Sequence, residues 1–368
     1  MLTGMRRVVG FAAVLLLAGC SSTPAGGNAP SSQEAPKGIT VEVVTSGLTH
    51  PWEIGFLPDG RLLVTERPGR LVLVDKGQRT PVDADLGDVV ARGEGGLMGL
   101  VVHPDFATSK RFTTCFNTDE DVRLVTFALD GTAAKRVGDP LRAGLPTNPS
   151  GRHSGCRLAL GKDGELLVGT GDTAKASASQ DKGDLGGKVL KLDLATGAGG
   201  VLTYGHRNVQ GIAVRADGLV FTAEHGPDVD DEVNVLKPGA NYGWDPSQGG
   251  TVDRYDESVP MTDLQRFPDA VPAVWSSGSP TEAICDAVFL SGDRWGDLDG
   301  TLAVTALKGS KVLFFTVTAE GGVHSVSIPE QLDGSYGRLR GAALGPDQAL
   351  YVTTSNGSDD KILKVSRG

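Results

Sequence analysis

The chain has 368 residues, 52 of them glycine, with 5% aromatic residues and a formal net charge of −10. The excess of acidic side chains argues against nucleic acid or an anionic membrane surface as a binding partner. The length allows either two ordinary domains or one large all-β domain.

The first predicted element is an export signal. Residues 1–19 contain Arg6 and Arg7 and then an apolar run, 8–18, that is too short for a transmembrane helix. The Leu-Ala-Gly-Cys sequence that ends at Cys20 resembles the bacterial lipobox, in which the cysteine becomes the lipidated first residue. The alternative is an ordinary signal peptide with an incidental cysteine. We expect export and a lipid anchor at Cys20 on the outer side of the cytoplasmic membrane.

The second element, 20–38, is a tether rich in Ser, Pro, Gly and Ala, with too few apolar residues to fold. The folded domain is predicted at 39–368. It contains Cys115, Cys156 and Cys285, an odd number that leaves at least one thiol unpaired. Export permits a disulfide, but the sequence does not identify a pair, and the cysteine spacing does not suit a zinc site.

A pattern of turns and strands recurs along the folded domain. Each copy has an Asp-Gly or Asp-Gln turn, a short alternating apolar strand, a polar loop and a second strand. The turn aspartates are Asp59, Asp163, Asp217, Asp299 and Asp347, with a weaker sixth at Asp105. A four-stranded unit of about fifty residues that recurs six times is typical of a propeller. The pattern predicts an all-β, six-bladed β-propeller with four-stranded antiparallel blades, and two packed β-sandwiches are the alternative. Residues 240–280 would form an inserted loop over one face.

The first polar cluster is RHSGC, 152–156, followed one strand later by GTGD, which ends at Asp172. His153 is one of only six histidines. Imidazole titrates near neutral pH and can remove a proton from an alcohol, so His153 is a candidate general base with Asp172 as its partner. A histidine that caps a turn is the alternative.

The second cluster is YGHRNVQG, which places a histidine, Arg207, Asn208 and Gln210 within five residues between two predicted strands. The third, EHGPDVDDEVN, offers several carboxylates and the main-chain carbonyls of Gly226 and Pro227. Hard oxygen ligands of this kind suit Ca²⁺. Polar or acidic loops without a ligand are the alternatives for both clusters.

The last cluster comprises Lys308, Arg338 and Arg340. Side chains alternate along a strand, so we expect Arg338 and Arg340 on the same face. Their planar guanidinium groups are suited to carboxylates. An exposed strand edge with two surface charges is the alternative.

Segments along nearly the whole folded domain together resemble the soluble aldose sugar dehydrogenases that depend on pyrroloquinoline quinone (PQQ), the glucose/sorbosone dehydrogenase family. The segments are HPWEIGFLPDGRLLVTERPGRL, EGGLMGLVVHPDF, HSGCRLALGKDGELLVGTGD, GGKVLKLD, YGHRNVQGIAV, EHGPDVDDEVNVLKPGANYGWD and the late Lys and Arg strands. Their number, order and spacing make the resemblance more specific than any single motif. The family has a six-bladed propeller fold, in agreement with the repeat count.

The resemblance implies a role for each cluster. His153 would remove the proton of the anomeric hydroxyl, with Asp172 as its partner, and Arg207 would polarise the quinone carbonyl that receives hydride. The other implied contacts of PQQ are Glu94, Asn208, Gln210, Lys308, Arg338 and Arg340.

The resemblance also implies calcium. The carbonyls of Gly226 and Pro227 would bind a Ca²⁺ ion that bridges to PQQ. Glu232 and Tyr242 match positions that the family uses for a second, structural Ca²⁺.

Three functions remain open on the sequence. The first is PQQ- and Ca²⁺-dependent oxidation of an aldose to its lactone, with a small-molecule sugar and an unidentified electron acceptor as partners. The second is a non-catalytic, lipid-anchored propeller that binds a glycan or a protein. The third is a Ca²⁺-dependent, lactonase-type hydrolase. Retained PQQ binding would favour the first; the sugar and the oligomeric state are not specified.

Overall fold

The computed structural model describes residues 31–252 and 254–368, together with Met1. Cys20, and with it the predicted lipidation, lies outside the described residues, as does nearly all of the predicted export signal. In the part of the chain that is described, no helix combines the length and the apolar character needed to cross a membrane. The domain is all-β, as predicted, and its α-helical content in that part is the single short segment α1, Phe106–Ser109.

The described strands form successive antiparallel groups of four, and the last group is completed by a strand from the start of the domain. The first strands in the chain are β1 (Ser31–Ser32) and β2 (Ile39–Leu48). The first group is β3 (Pro51–Phe56), β4 (Leu62–Glu66), β5 (Arg70–Asp75) and β6 (Gln78–Ala84), and the second is β7 (Leu97–Val102), β8 (Arg111–Asn117), β9 (Val122–Asp130) and β10 (Ala133–Arg136), with β11 (Arg142–Leu145) paired to β9. The third group is β12 (Arg157–Leu160), β13 (Leu166–Gly169), β14 (Lys188–Leu192) and β15 (Gly199–Tyr204), and the fourth is β16 (Val209–Val214), β17 (Val220–Glu224), β18 (Glu232–Val235) and β19 (Trp275–Ser276). The fifth group is β20 (Ile284–Phe289), β21 (Leu302–Ala306), β22 (Lys311–Val317) and β23 (Val323–Ser327), and the last is β24 (Leu339–Leu344), β25 (Leu350–Thr354) and β26 (Asp360–Arg367) with β2.

Two further pairings connect these groups. Strands β6 and β10 pair in parallel, which joins the first two groups into one sheet. Strand β1, which lies within the predicted tether, pairs in parallel with β23. Short 3₁₀ segments at Asp293–Leu298 and Glu330–Leu332 connect strands near the end of the chain.

The first strands of the groups contact one another in a closed order: β3 with β7, β7 with β12, β12 with β16, β16 with β20, β20 with β24, and β24 with β3. The groups therefore surround a common centre that their first strands line. Residues far apart in the sequence meet there, and this arrangement positions the site described below.

The repeating turn aspartates take the positions that the sequence pattern predicted. Each lies between the first and second strands of a group. In three of these turns the carboxylate accepts the N–H of the residue two positions later, as Asp59 does from Arg61 and Asp217 from Leu219. This local hydrogen bond stabilises the turn without any contact from elsewhere in the fold.

The core lies between neighbouring groups, where the apolar faces of their sheets meet. Between the first two groups, Leu63 and Leu71 pack with Leu97 and Phe112 in one cluster of fully buried side chains. Full burial of one such side chain contributes roughly 1.5 to 3 kcal/mol. Similar clusters join the later groups and hold the sheets around the centre.

The predicted insertion lies between β18 and β19, at residues 236–274. It precedes the last strand of its group and therefore does not interrupt the antiparallel order. Two of its side chains, Trp244 and Tyr255, contact the central site, and Tyr242 stacks on His206 in the interior.

A disulfide bond joins two neighbouring groups. Cys115 in β8 is bonded to Cys156, which directly precedes β12, and both residues are buried. Their sequence separation is 41, and their Cα atoms are 5.6 Å apart. Within the described residues Cys285 is the remaining free thiol, and it too is buried.

Replacing both Cys115 and Cys156 with serine is expected to lower the free energy of unfolding by roughly 2 to 4 kcal/mol, because the unfolded chain loses its cross-link. Urea unfolding of the oxidised wild type and the double variant would measure the difference. Cys285→Ala is the matched control, since it removes a buried sulfur without removing a cross-link. Equal stability of the double variant and the wild type would contradict the prediction.

Candidate active site

His153 and Asp172 form the hydrogen-bonded pair that the sequence predicted. Nδ1 of His153 lies 2.8 Å from Oδ1 of Asp172, and both side chains are buried. A proton on Nδ1 is held by the carboxylate, so Nε2 is left as the nitrogen that can accept a proton. The pair thus has the geometry of an oriented general base.

Three further donors hold the carboxylate of Asp172. The N–H of Ala174 donates to Oδ1 at 2.8 Å, while Oδ2 accepts from Trp244 Nε1 at 2.8 Å and from the Tyr255 hydroxyl at 2.5 Å. Burial and the negative charge of Asp172 raise the pKa of Tyr255, so its phenol remains a donor. The sequence analysis did not identify Trp244 or Tyr255 as site residues. The feature that could have identified them is that aromatic residues are rare in this chain and these two lie in the insertion.

A tight turn presents His153. His153, Gly155 and Cys156 have φ values of 50°, 58° and 69°. A Cβ atom on Gly155 would lie 2.3 Å from the main-chain nitrogen of Gly171, so this position requires glycine. Left-handed non-glycine residues persist only where surrounding contacts enforce them. The disulfide of Cys156 and its N–H bond to the Gly169 carbonyl supply such contacts.

The side chains of the YGHRNVQG segment lie in two different places, some packed in the protein interior and others at the central site. His206 is fully buried, with Nδ1 2.6 Å from Oε1 of Glu224 and its ring stacked 4.5 Å from that of Tyr242. It supports the sheet. Arg207 instead contacts the central site, where Nη1 donates to the carbonyl of His225 at 3.0 Å. The Nε atom of Arg207 is buried without a hydrogen-bond partner among the described residues.

A chain of amides connects the predicted cofactor residues. Asn208 donates from Nδ2 to Oε2 of Glu94 at 3.1 Å and accepts at Oδ1 from Gln210 at 3.1 Å. Gln210 in turn accepts at Oε1 from Arg340 Nη1 at 3.1 Å. Asn208 also accepts from the N–H of Gly155, which links this chain to the turn of the base. The structure thus brings four of the predicted cofactor residues together.

The late cations differ in their placement. Arg340 lies in β24 and is buried, whereas Arg338 precedes the strand and is exposed, as is Lys308. The strand contains Arg340 but not Arg338, so the expected alternation along a single strand does not apply to this pair. The strand begins only at Leu339, and its pairing with β25 is irregular between Leu339 and Ala342.

Arg67 is a further cation of this region that sequence reasoning missed. Burial, together with repulsion from Arg340 and Arg338, lowers the pKa of Arg67. Its Nη1 donates to the carbonyl of Gly93 at 2.7 Å. The repulsion means that the guanidinium groups of Arg338 and Arg340 lie near that of Arg67, a charge arrangement suited to an anionic ligand.

Beside the amide chain lies a buried charge cluster. Nη1 of Arg157 bonds to Oε2 of Glu53 and, at 2.9 Å, to Oδ2 of Asp286, while its Nε donates to the carbonyl of Gln210 at 2.6 Å. The guanidinium lies 3.9 Å from the ring of Trp52. Burial raises the pKa of Glu53 to about 8 and also raises that of Asp286. One arginine therefore stabilises two buried carboxyl groups from different strand groups.

The acidic loop mostly organises its own backbone. Asp231 is buried and accepts hydrogen bonds from the N–H groups of Gly226, at 2.9 Å, and Glu282, at 2.7 Å. The carbonyls of Gly226 and Pro227 accept no hydrogen bond from any described residue. Across the described ranges, no cluster of three or more His, Cys, Asp or Glu side chains has the geometry of a metal site.

A second oxygen-rich group lies on β17 and β18. Glu224 and Glu232 are direct cross-strand neighbours, and burial and the charge of Glu224 raise the pKa of Glu232 to about 8. Oδ1 of Asn234 is buried without a donor among the described residues. The Tyr242 hydroxyl donates to the Val235 carbonyl at 2.7 Å. The hydroxyl also accepts the N–H of Lys237 at 2.9 Å, so the main-chain carbonyl of Tyr242 is the better candidate for the predicted metal ligand.

A family model for glucose/sorbosone dehydrogenases matches residues 48–364. This chain belongs to that family. The match covers the strands that carry the base, the amide chain and the late cations, and it confirms the family that the sequence motifs predicted.

Three relatives show how far the family similarity extends. The aldose sugar dehydrogenase YliI of Escherichia coli strain K12 is 30% identical over 364 residues, which cover 90% of this chain and 94% of the relative. A structure from Thermus thermophilus, described as an oxidoreductase and glucose dehydrogenase, is 32% identical, with a TM-score of 0.74 over 89% of this chain and 100% of that one. The PQQ-bound aldose sugar dehydrogenase of Streptomyces coelicolor is 29% identical, with a TM-score of 0.72 over 90% and 99%. The expectation of a sugar-oxidising oxidoreductase is thus confirmed at the level of the family.

Proposed function

We propose that this protein is a PQQ- and Ca²⁺-dependent aldose dehydrogenase that oxidises a cyclic sugar at its anomeric carbon to the lactone. The observation that carries the proposal is the buried His153–Asp172 pair, which leaves Nε2 as a proton acceptor beside a cradle of amides and cations. The names of the relatives from Escherichia coli and Streptomyces coelicolor support the same reaction class.

In this proposal the groups of four strands are the six blades of a propeller. The closed order of contacts among their first strands and the position of each turn aspartate support this arrangement. Strand β2 would close the ring by completing the blade formed by the last three strands of the chain.

The residues of the central region fit PQQ, which carries three carboxylates and two quinone carbonyls. Arg340, Arg338 and Lys308 would bind the carboxylates, with Arg67 as an additional cation. The Nε of Arg207, which has no partner within the part of the chain described, is a buried donor that an acceptor oxygen of the ligand would satisfy. Asn208 and Gln210 would contact the edge of the cofactor, with Glu94 held by Asn208. When bound, PQQ supplies the two-electron acceptor for the oxidation.

The protein's own residues would then handle the proton and the charge. Nε2 of His153 would accept the O1 proton of the hemiacetal as the C1–O1 double bond forms, and the C1 hydrogen with its bonding electron pair is what the bound acceptor would have to take up. Asp172 stabilises the resulting imidazolium through Nδ1. Trp244 and Tyr255 keep that carboxylate in place. Arg207 stabilises negative charge on the acceptor side.

Calcium would bind at two places. The carbonyls of Gly226 and Pro227, which accept no hydrogen bond from the described residues, suit the ion beside the cofactor, since carbonyl oxygens are ordinary calcium ligands. The carboxyl of Glu232 and the buried Oδ1 of Asn234 offer oxygen ligands to a structural ion, with the main-chain carbonyl of Tyr242 as a further candidate.

Calcium should stabilise the PQQ-free protein more strongly at pH 8.5 than at pH 6. The folded-state pKa of Glu232, about 8, lies above its ordinary value of 4.5, so the folded protein retains a proton that Ca²⁺ must displace. Without the metal, this group makes stability fall as pH rises through that interval. Thermal unfolding with Ca²⁺ or chelator would measure the difference in Tm.

Glu232→Gln serves as the matched control because the amide resembles the protonated carboxyl. The variant should lose the pH-dependent part of the calcium effect. An identical response of the variant and the wild type at both pH values would contradict a calcium site at Glu232.

The proposal also places the protein outside the cytoplasmic membrane, anchored by lipid at Cys20. The sugar would reach it there, and an electron acceptor that is not yet identified would reoxidise the cofactor. The predicted export signal and the lipobox-like sequence that ends at Cys20 support this location.

The test is to prepare the protein from Ser21 onward, load it with Ca²⁺ and titrate PQQ by absorbance, then add aldoses and follow reduction of the bound quinone. We expect saturable PQQ binding that Arg340→Gln weakens, followed by sugar-dependent reduction. Absence of PQQ binding with Ca²⁺ present would overturn the enzyme proposal and favour a non-catalytic, ligand-binding propeller.

A further inference from the structure

The carboxylate of Glu257 bridges two arginines next to the base. Its Oε2 lies 2.5 Å from Nη2 of Arg152, and its Oε1 lies 2.5 Å from Nη2 of Arg207. Glu257 comes from the insertion and follows Tyr255, which binds the partner of the base. The insertion therefore places the carboxylate of Glu257 between Arg152, which precedes the base, and Arg207, which is a predicted cofactor residue.

Arg152 occupies the position that a substrate hydroxyl needs. Its Nε donates to Nε2 of His153 at 3.4 Å, and Nε2 is the nitrogen that must accept the substrate proton. While this contact persists, the lone pair of the base is engaged. Arg152 must therefore move away from Nε2 before the base can act.

Arg152 can move because the fold holds it loosely. Its side chain is 41% exposed, and that of Glu257 is 33% exposed. Besides Glu257 and the base, its guanidinium contacts the ring of Tyr255, 5.4 Å from the centroid. Ion pairs with this exposure are weak in water, so an incoming ligand can replace one partner with another.

A carboxylate on the ligand is the group best suited to make this exchange. The position of Glu257 shows that a carboxylate fits against Arg152 at hydrogen-bond distance. Arginine binds carboxylates through two parallel donors, whereas the hydroxyls of a neutral sugar offer no charge to replace Glu257. Pairing with a sugar carboxylate would draw Arg152 away from Nε2, so that substrate recognition would free the base.

We infer that Arg152 is a specificity-determining residue that selects acidic sugars, the uronic acids, over neutral aldoses. This inference rests on the proposed function and names the substrate class of the same site. The sugar carboxylate would remain chemically unchanged and paired with Arg152. The oxidation would remain at C1, where a hydride passes to the quinone and the O1 proton passes to His153.

The experiment compares two matched substrate pairs, glucuronate with glucose and galacturonate with galactose, using protein loaded with PQQ and Ca²⁺. We expect kcat/KM to be at least about tenfold higher for each uronate, equivalent to one 1.4 kcal/mol step in transition-state binding. Arg152→Gln should remove this preference, and Arg152→Lys, which keeps the charge, should retain part of it.

Arg254→Gln is the control, because Arg254 lies on the same insertion, is 78% exposed and pairs only weakly with Asp256, at 3.7 Å. It should keep the preference for uronates. Glu257→Gln, which weakens the internal competitor, should lower KM for uronates several-fold more than for neutral sugars. A wild-type preference for neutral sugars, or a uronate preference that survives in Arg152→Gln, would overturn the inference.

Calorimetry with the PQQ-free protein separates failure of this inference from failure of the proposed function. Glucuronate should bind more tightly than glucose, and Arg152→Gln should abolish the difference. If glucuronate binds in this way but no sugar is oxidised, the acidic-sugar site is supported and the dehydrogenase proposal is refuted. Turnover of sugars without a difference in binding or in kcat/KM would leave the dehydrogenase in place and refute the acidic-sugar site.

Discussion

Replacing His153 with glutamine is expected to lower kcat about 10³-fold, within the range that a positioned general base contributes. Glutamine keeps a polar side chain that can still donate to Asp172, but it cannot take up the proton of the anomeric hydroxyl. Because the ring of His153 has no hydrogen bond to Arg340, Asn208 or Gln210 among the described residues, PQQ affinity should change little. Stopped-flow reduction of bound quinone, beside a PQQ titration, would measure the two quantities separately.

Asp172→Asn is the companion variant. An asparagine amide can present its N–H to Nδ1 and favour the wrong imidazole tautomer, so kcat should also fall strongly. Tyr255→Phe removes only one of the donors to Asp172 and should have a much smaller effect. A kcat for His153→Gln within tenfold of the wild type would show that another group is the base.

Replacing Arg157 with methionine is expected to lower the free energy of unfolding by roughly 3 to 5 kcal/mol, because it leaves two buried carboxyl groups without their cation. Glu53 and Asp286 both bond to the same nitrogen of Arg157, and all three side chains are buried. Denaturant unfolding at constant pH would measure the loss. Arg61→Met, at a partly exposed ion pair with Asp59, is the control and should have little effect.

The pH dependence gives this prediction a second signature. Burial already raises the pKa of Glu53 to about 8 in the folded state, above its ordinary value of 4.5. Without Arg157, that pKa should rise further. A carboxyl with a raised folded-state pKa makes stability fall as pH increases up to that pKa, so the variant should continue to lose stability above pH 8, where the contribution of Glu53 in the wild type levels off. Parallel stability curves for variant and wild type would contradict the role assigned to the cluster.

The sequence alone identified the parts of the fold that depend on local interactions. The turn at Asp59 or Asp217 is stabilised by its own carboxylate two residues away, and each strand carries its own apolar alternation. Such signals repeat wherever the unit repeats, and the all-β class followed from them. His153 and Asp172 were recognisable as a pair because they flank the first two strands of the same unit, before β12 and after β13, and both residue types serve proton transfer.

The tertiary structure alone decided which side chains meet across units. Nothing local marks Cys115 as the partner of Cys156, places His206 inside the sheet while Arg207 faces the centre, or brings Glu257 to Arg152. These contacts arise when the first strands close around a common centre and the insertion folds over the base. The energies of these contacts depend on distances between side chains that are set only when the strand groups have closed around the centre. Turn hydrogen bonds and the apolar pattern of a strand involve residues within a few positions of each other, so the sequence shows them directly.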